Sequence, residues 1–167
     1  MNKIKLMLVG CGPHAKRIYL PAVEKLRKRI DIELLLVVDL YVTKDSVARA
    51  INQTTLKPQM WFIDPFPSEI PSQLEERLSK FVKENNINGV IIATEPLVHK
   101  AYADWALRNK LNILIDKPIT ARVDSTSKLS SADGILDDYI SLLELYKNVQ
   151  KTQETVFVVN SQRRFHA

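Results

Sequence analysis

Short aliphatic runs alternate with amphipathic stretches along the whole chain, and this alternation constrains the fold more than any single motif. Ile4 to Val9 reads as a buried strand. Pro13 to Arg29 reads as a helix with Ile18, Ala22 and Leu26 spaced at four along its inner face, and Pro21 is expected to kink or break it. Ile32 to Val38 is a continuous aliphatic run, the pattern of a strand covered on both faces. Helices are expected at Lys44 to Asn52, Ser72 to Asn85 (Leu74, Leu78, Phe81 and Val82 inward), Leu97 to Arg108 and Ile135 to Gln150. Strands are expected at Met60 to Ile63, Gly89 to Ala93, Asn112 to Ile115 and Thr155 to Asn160. The proline-rich Asp64-Pro65-Phe66-Pro67 is a turn, and Ala121 to Gly134, rich in Ser, Thr and Asp, is the best candidate for a mobile loop. Strictly alternating elements imply an α/β fold: a mainly parallel, doubly wound sheet with helices on both faces.

Between the first strand and the first helix lies Val9-Gly10-Cys11-Gly12-Pro13-His14-Ala15, a G-x-G-x-x-A turn in the context where that motif has mechanical meaning. Gly10 allows a tight turn, Gly12 lets a diphosphate approach the backbone, and Ala15 lets the helix pack close to the strand. The helix N-terminus offers partial positive charge to the anion, and Pro13 suits the first turn because its missing N–H has no intrahelical partner. His14 has the reach to touch a phosphate, although a solvent-facing helix position is the plainer reading. The second strand ends at Val38-Asp39, where a carboxylate accepts hydrogen bonds from the adenosine ribose and repels a 2′-phosphate. Asp39 therefore argues for NAD, with NADP the alternative because Lys44 lies nearby. The sequence thus describes a Rossmann dinucleotide-binding domain.

The chain has 167 residues, 46% hydrophobic and 26% charged, which suits one globular domain. Its lone cysteine, Cys11, excludes an internal disulfide and fits a reducing compartment. The apolar run after Lys3 and Lys5 is too short for a signal peptide, and nothing approaches a membrane span, so the expectation is a cytoplasmic protein with no membrane partner. The net charge of +5 is scattered except at Lys25-Leu26-Arg27-Lys28-Arg29, a solvated helix end; nucleic acid is not an expected partner. No metal site is expected.

Ile91-Ile92-Ala93-Thr94-Glu95-Pro96-Leu97-Val98-His99, then a helix, then Asn112-Ile113-Leu114-Ile115-Asp116-Lys117-Pro118 complete a second pattern. With the opening turn, it resembles the glucose–fructose oxidoreductase/inositol dehydrogenase (Gfo/Idh/MocA) family, whose motifs run A-T-x-P-x-x-H and E-K-P. The likeness extends from Lys3 to Phe165. It implies a nicotinamide cofactor and hydride transfer to or from a sugar- or polyol-like hydroxyl or carbonyl compound. By the same resemblance Thr94, Glu95 and Pro96 border the nicotinamide ribose, with Asp116 nearby. Lys117 is the active-site lysine that handles the substrate proton, and His99 lies near the cleft as a second catalytic candidate. Arg163 and Arg164 stand where the family carries an arginine pair. A cis Lys117–Pro118 bond is a further expectation.

Asp116 replaces the family's Glu, and Asn109-Lys110 stands where a glycine usually closes the helix, with Asn109 expected in the left-handed position that asparagine tolerates. The six residues after Ser161 are too few for the family's substrate domain, so a single domain over 1–167 is expected, with a homo-oligomer or partner chain supplying the substrate side. Two other readings stand beside this one: a noncatalytic nucleotide-binding module or partner subunit, and a Rossmann domain for another adenosine ligand such as S-adenosylmethionine or coenzyme A.

Overall fold

The computed structural model describes residues 3–161. Its strands are β1 (Ile4–Val9), β2 (Ile32–Leu40), β3 (Gln59–Ile63), β4 (Gly89–Ile92), β5 (Asn112–Asp116) and β6 (Phe157–Asn160). They form one sheet in the order β3-β2-β1-β4-β5-β6, and every pairing is parallel. The helices are α1 (Pro13–Arg17), α2 (Tyr19–Leu26), α3 (Lys44–Asn52), α4 (Ser72–Asn85), α5 (His99–Arg108) and α6 (Leu129–Gln150). The first three cover one face and the last three the other, each over its own apolar core. Strand order reverses between β1 and β4, which opens a crevice at their carboxyl ends. This is the doubly wound α/β fold expected from the alternation.

Side chains of β1 obey the period of two: Met7 and Val9 enter the α4–α6 core, while Leu8 enters the α1–α3 core. In β2 that rule is broken by one residue. Leu34 faces α1–α3, yet Leu36 faces the opposite core. The cause is a bulge: Leu6 pairs with Leu34 and Met7 with Leu36, so Leu35 is extra and flips the remainder of the strand. That flip sets the phase of everything up to Asp39.

Three expectations need correction. The first concerns the inner stripe of the helix after β1, which breaks at Ile18 as expected, because Pro21 offers no N–H to the Arg17 carbonyl and its ring crowds that oxygen. Its buried face is Ala15, Tyr19, Leu20 and Val23, whereas Ile18 and Leu26 are 37% and 41% exposed. Spacing of four fits both stripes, and periodicity alone chose the wrong one. Second, Ala121 to Gly134 is not all loop, since α6 begins at Leu129. The Arg122 guanidinium grips Asp138 through Nε and Nη2, both at 2.8 Å, and lies across Gly134, where any Cβ would collide with it. Third, the left-handed residue closing α5 is Lys110 (φ 56°), not Asn109. Lys110 N donates to Leu107 O and Leu111 N to Ala106 O, the paired bonds of a Schellman ending.

Candidate functional site

Every strand ends at the same rim, and the rim frames a cleft of about 670 Å³. β1 delivers the glycine turn. Gly10 has φ +84° and donates its N–H to Val38 O at 2.8 Å. A Cβ there would lie 2.5 Å from the Ala93 carbonyl and 2.6 Å from Thr94 N, so β1 and β4 touch backbone to backbone at this residue. Gly12, next along and at the N-cap of α1, is different: a Cβ would meet nothing within 4 Å. That open ground belongs to the cleft, which also borders Pro13 and His14. Ala15 does not line it. It is wholly buried beneath the turn, among the residues packing α1 on the sheet.

β2 contributes Asp39. Its Oδ2 accepts the Cys11 N–H at 2.7 Å and its Oδ1 the Leu40 N–H at 2.7 Å, fixing the carboxylate at the cleft edge. Each oxygen keeps capacity for another donor. Cys11 itself is fully buried, and burial pushes its thiol up to about 11, so its part in the turn is steric. Ile63, Pro65, Phe66 and Pro67, at and after the end of β3, form an apolar wall, with Phe66 edge-on to Tyr102 at 5.6 Å.

β4 and β5 bring the second motif together. Thr94, Glu95 and Pro96 lead through a short 3₁₀ turn into α5, and all three line the cleft. Asp116 ends β5, followed by Lys117, exposed at the mouth, and the Lys117–Pro118 peptide is cis. His99, the first residue of α5, has no exposed surface. Its Nδ1 lies 2.7 Å from the Pro118 carbonyl oxygen and its Nε2 3.0 Å from that of Thr94. Both nitrogens therefore face backbone oxygens and not the open cleft.

Sequence reasoning missed one cluster. Asp116 Oδ1 accepts hydrogen bonds from the Tyr19 hydroxyl and, at 3.0 Å, from Asn160 Nδ2, which also donates to the Tyr19 hydroxyl at 2.7 Å. His14 Nε2 lies 3.8 Å from the same carboxylate, and its ring stands edge-on to Tyr19. Burial, then the Asp116 carboxylate, push the Tyr19 hydroxyl well up, so it stays a proton donor. The available signal was positional: Asn160 ends a strand, and strand ends face the crevice. Arg163 and Arg164 lie outside the described residues.

The cleft can take an elongated anionic ligand: an apolar wall at one end, bare backbone in the middle, and fixed carboxylates on both sides. The family described as an oxidoreductase family with an NAD-binding Rossmann fold, Gfo/Idh/MocA, matches residues 4–132. The chain belongs to this family. A Gfo/Idh/MocA oxidoreductase from Vibrio cholerae is 17% identical and superimposes with a TM-score of 0.66 over 97% of this chain and 40% of its own. The WlbA dehydrogenase from Bordetella pertussis, solved with NADH and UDP-GlcNAcA, is 20% identical with a TM-score of 0.65 over 100% of this chain and 39% of its own. A putative myo-inositol dehydrogenase from Sinorhizobium meliloti is 15% identical, with a TM-score of 0.63 over 98% of this chain and 37% of its own. At these identities the structures share a fold with this chain. The chain spans about 40% of their length. No curated protein matches it. No helix among the described residues is long and apolar enough to cross a membrane.

As a member of Gfo/Idh/MocA the chain is an NAD-binding Rossmann domain, and its residues fit that group. The backbone at Gly12 is an open cradle: a Cβ there would meet nothing of the protein within 4 Å and would stand in the space through which a ligand reaches the main chain. The chain's motif residues lie around that cradle, with Ala15 just below it.

Proposed function

We propose that the cleft binds NAD across the switch point between β1 and β4 and serves hydride transfer to or from a small sugar- or polyol-like hydroxyl or carbonyl compound. The observation that carries this reading is the open backbone at Gly12, flanked by Asp39 on one side and by Thr94 and Lys117 on the other. A diphosphate over Gly12, Pro13, His14 and the Ala15 turn leaves an adenosine ribose at Asp39, toward β2. The nicotinamide half then extends the other way, toward Thr94, Glu95, Pro96 and Asp116 at the ends of β4 and β5. Asp39 selects against a 2′-phosphate, because its carboxylate is already fixed at the cleft edge by two backbone amides.

When bound, nicotinamide supplies the hydride acceptor or donor. Lys117 gives or takes the proton of the substrate oxygen, which its place at the exposed mouth beside Asp116 permits. The substrate's far side is held by groups beyond this domain, in a further domain or a partner chain.

Titration of the folded chain with NADH, NADPH, S-adenosylmethionine and coenzyme A, read by nicotinamide fluorescence and melting temperature, tests the proposal. NADH is expected to bind most tightly and to raise the melting temperature. A shift with S-adenosylmethionine or coenzyme A alone would refute it. Within a catalytically competent assembly, Lys117→Ala should lower turnover far more than NADH affinity; equal losses would remove Lys117 from its role.

A further inference from the structure

We infer that His99 is a positioning residue: its ring locks the turn after β4 to the turn after β5 and so fixes Lys117 against the nicotinamide end of the cleft. The inference rests on reading the cleft as a nicotinamide dinucleotide site. The ladder between β4 and β5 stops at Ile92–Ile115. Beyond it no ladder pair joins the two turns, one carrying Thr94, Glu95 and Pro96, the other Lys117 and Pro118. The buried ring fills that gap, with Nε2 at 3.0 Å from the Thr94 carbonyl and Nδ1 at 2.7 Å from the Pro118 carbonyl. Pro118 follows Lys117 directly, so the second bond holds the backbone from which the lysine springs.

The choice of side chain is specific. Both partners are carbonyl oxygens, which only accept, so the ring donates to one of them as neutral imidazole, with the second contact a close packing contact, and to both as imidazolium. Imidazole places two potential donors on opposite sides of a rigid ring. A carboxamide carries both N–H bonds on one atom and reaches one carbonyl at a time. Thr94 is also pinned from the other side, because its amide lies against Gly10. His99 thus passes the position of the glycine turn, through Thr94, to Lys117. Its nitrogens are committed to backbone, so it does not touch the reacting atoms; an error of about 1 Å in what it holds is enough to cost on the order of 100-fold in rate.

The test compares His99→Ala and His99→Gln with the unaltered chain in three measurements: affinity for NADH, affinity for ADP, and hydrogen exchange across residues 94–98 and 116–120. ADP occupies only the glycine turn and the Asp39 end. The expected result is a loss of about tenfold or more in NADH affinity, ADP affinity within twofold, and faster exchange in both segments with β1 and β2 unchanged; His99→Gln should fall between. Equal losses for NADH and ADP, or undisturbed exchange, would overturn the clamp. If His99→Ala does not fold, the Gln variant decides by the same split. Failure of the unaltered chain to bind NADH would refute the dinucleotide reading, while the exchange measurement would still decide whether the ring ties the two turns together.

Discussion

The two glycines of the first turn are set for opposite consequences when each is given one methyl group. Gly10→Ala places an L side chain at φ +84°, worth about 1–2 kcal/mol of strain. It also drives Cβ to 2.5 Å from the Ala93 carbonyl, where ordinary contact begins at 3.4 Å. Neither partner is a flexible side chain, so β1 and β4 must separate, an overpacking cost of about 1–3 kcal/mol. The sum, about 2–5 kcal/mol, corresponds to a fall of roughly 5–15 °C in melting temperature for a domain of this size. Gly12→Ala meets no atom, and φ −71°, ψ −174° is ordinary extended backbone. It should leave the melting temperature unchanged or raise it slightly, since alanine restricts the unfolded chain by about 0.4–1 kcal/mol. Its methyl group occupies the ground over which the proposed diphosphate would lie, so NADH affinity should fall at least about tenfold, or 1.4 kcal/mol. Thermal unfolding and NADH titration of both variants give the answer. A stable Gly10→Ala protein, or a Gly12→Ala protein that binds NADH normally, would refute the division of labour.

Other perturbations follow from the same geometry. Asp39→Asn should weaken NADH about tenfold and narrow the gap between NADH and NADPH, while lowering the melting temperature, because one of two amide hydrogen bonds to a charged oxygen is lost; an unchanged cofactor preference in competitive titration would contradict the assignment. Lys110→Gly should stabilise the chain by about 1 kcal/mol, since Lys110 holds a left-handed conformation at the end of α5, and a denaturant midpoint that does not rise would show that the strain is absent. Asp138 is held below the ordinary carboxylate value of 3.8, chiefly by its hydrogen bonds to Arg122. A lowered value in the folded state means that stabilisation is whole above 3.8 and drains as pH falls through the lower folded value. The difference in melting temperature between the unaltered chain and Asp138→Asn should therefore be constant from pH 5 to 7 and shrink in strong acid, and a gap that persists there would remove the ion pair as its cause. Cys11, wholly buried with its thiol pushed up to about 11, should resist alkylation at pH 8 until the chain unfolds; modification of the native protein at the rate of a free thiol would contradict that burial.

Much of the fold was legible because the driving pattern is local. Aliphatic runs flanked by turn residues located all six strands, and the bounds of α3 and α4 fall where periodicity put them. What stayed hidden depended on contacts across the sheet. The bulge at Leu35 leaves no mark in an unbroken run of leucines and valines, because each phase of such a strand looks equally apolar. The buried stripe of α1 and α2 was misread for a related reason. Ile18, Ala22 and Leu26 and the stripe starting at Ala15 are both spaced at four, and only the position of the Pro21 break over the sheet decides between them. The start of α6 at Leu129 was masked by a Ser- and Asp-rich stretch whose glycine, Gly134, proved to be the seat of the Arg122 guanidinium.

The candidate site divides along the same line. Candidates marked by type and spacing, such as Gly12, Asp39 and Lys117, could be named from sequence; the contacts that join one strand end to the next could not. From β2 across to β6, each gap along the rim has its own tie. The Asp39 carboxylate holds the Cys11 amide and joins β2 to the glycine turn. Gly10 lies on the Ala93–Thr94 peptide and joins β1 to β4. His99 joins β4 to β5, and Asn160 with Tyr19 joins β5 to β6 and α2. Three of these four ties use a backbone group as partner, and a backbone group has no letter in the sequence. Such a rim needs no ordering of its own when a ligand arrives, and preorganisation of that kind reduces the entropy lost on binding. It also makes substitutions at neighbouring ties interact: Gly10→Ala displaces the Ala93–Thr94 peptide, and with it the residue whose carbonyl His99 holds, so the effects of Gly10→Ala and His99→Ala on NADH affinity should fall short of additivity, whereas Asp138→Asn, on α6, should add independently.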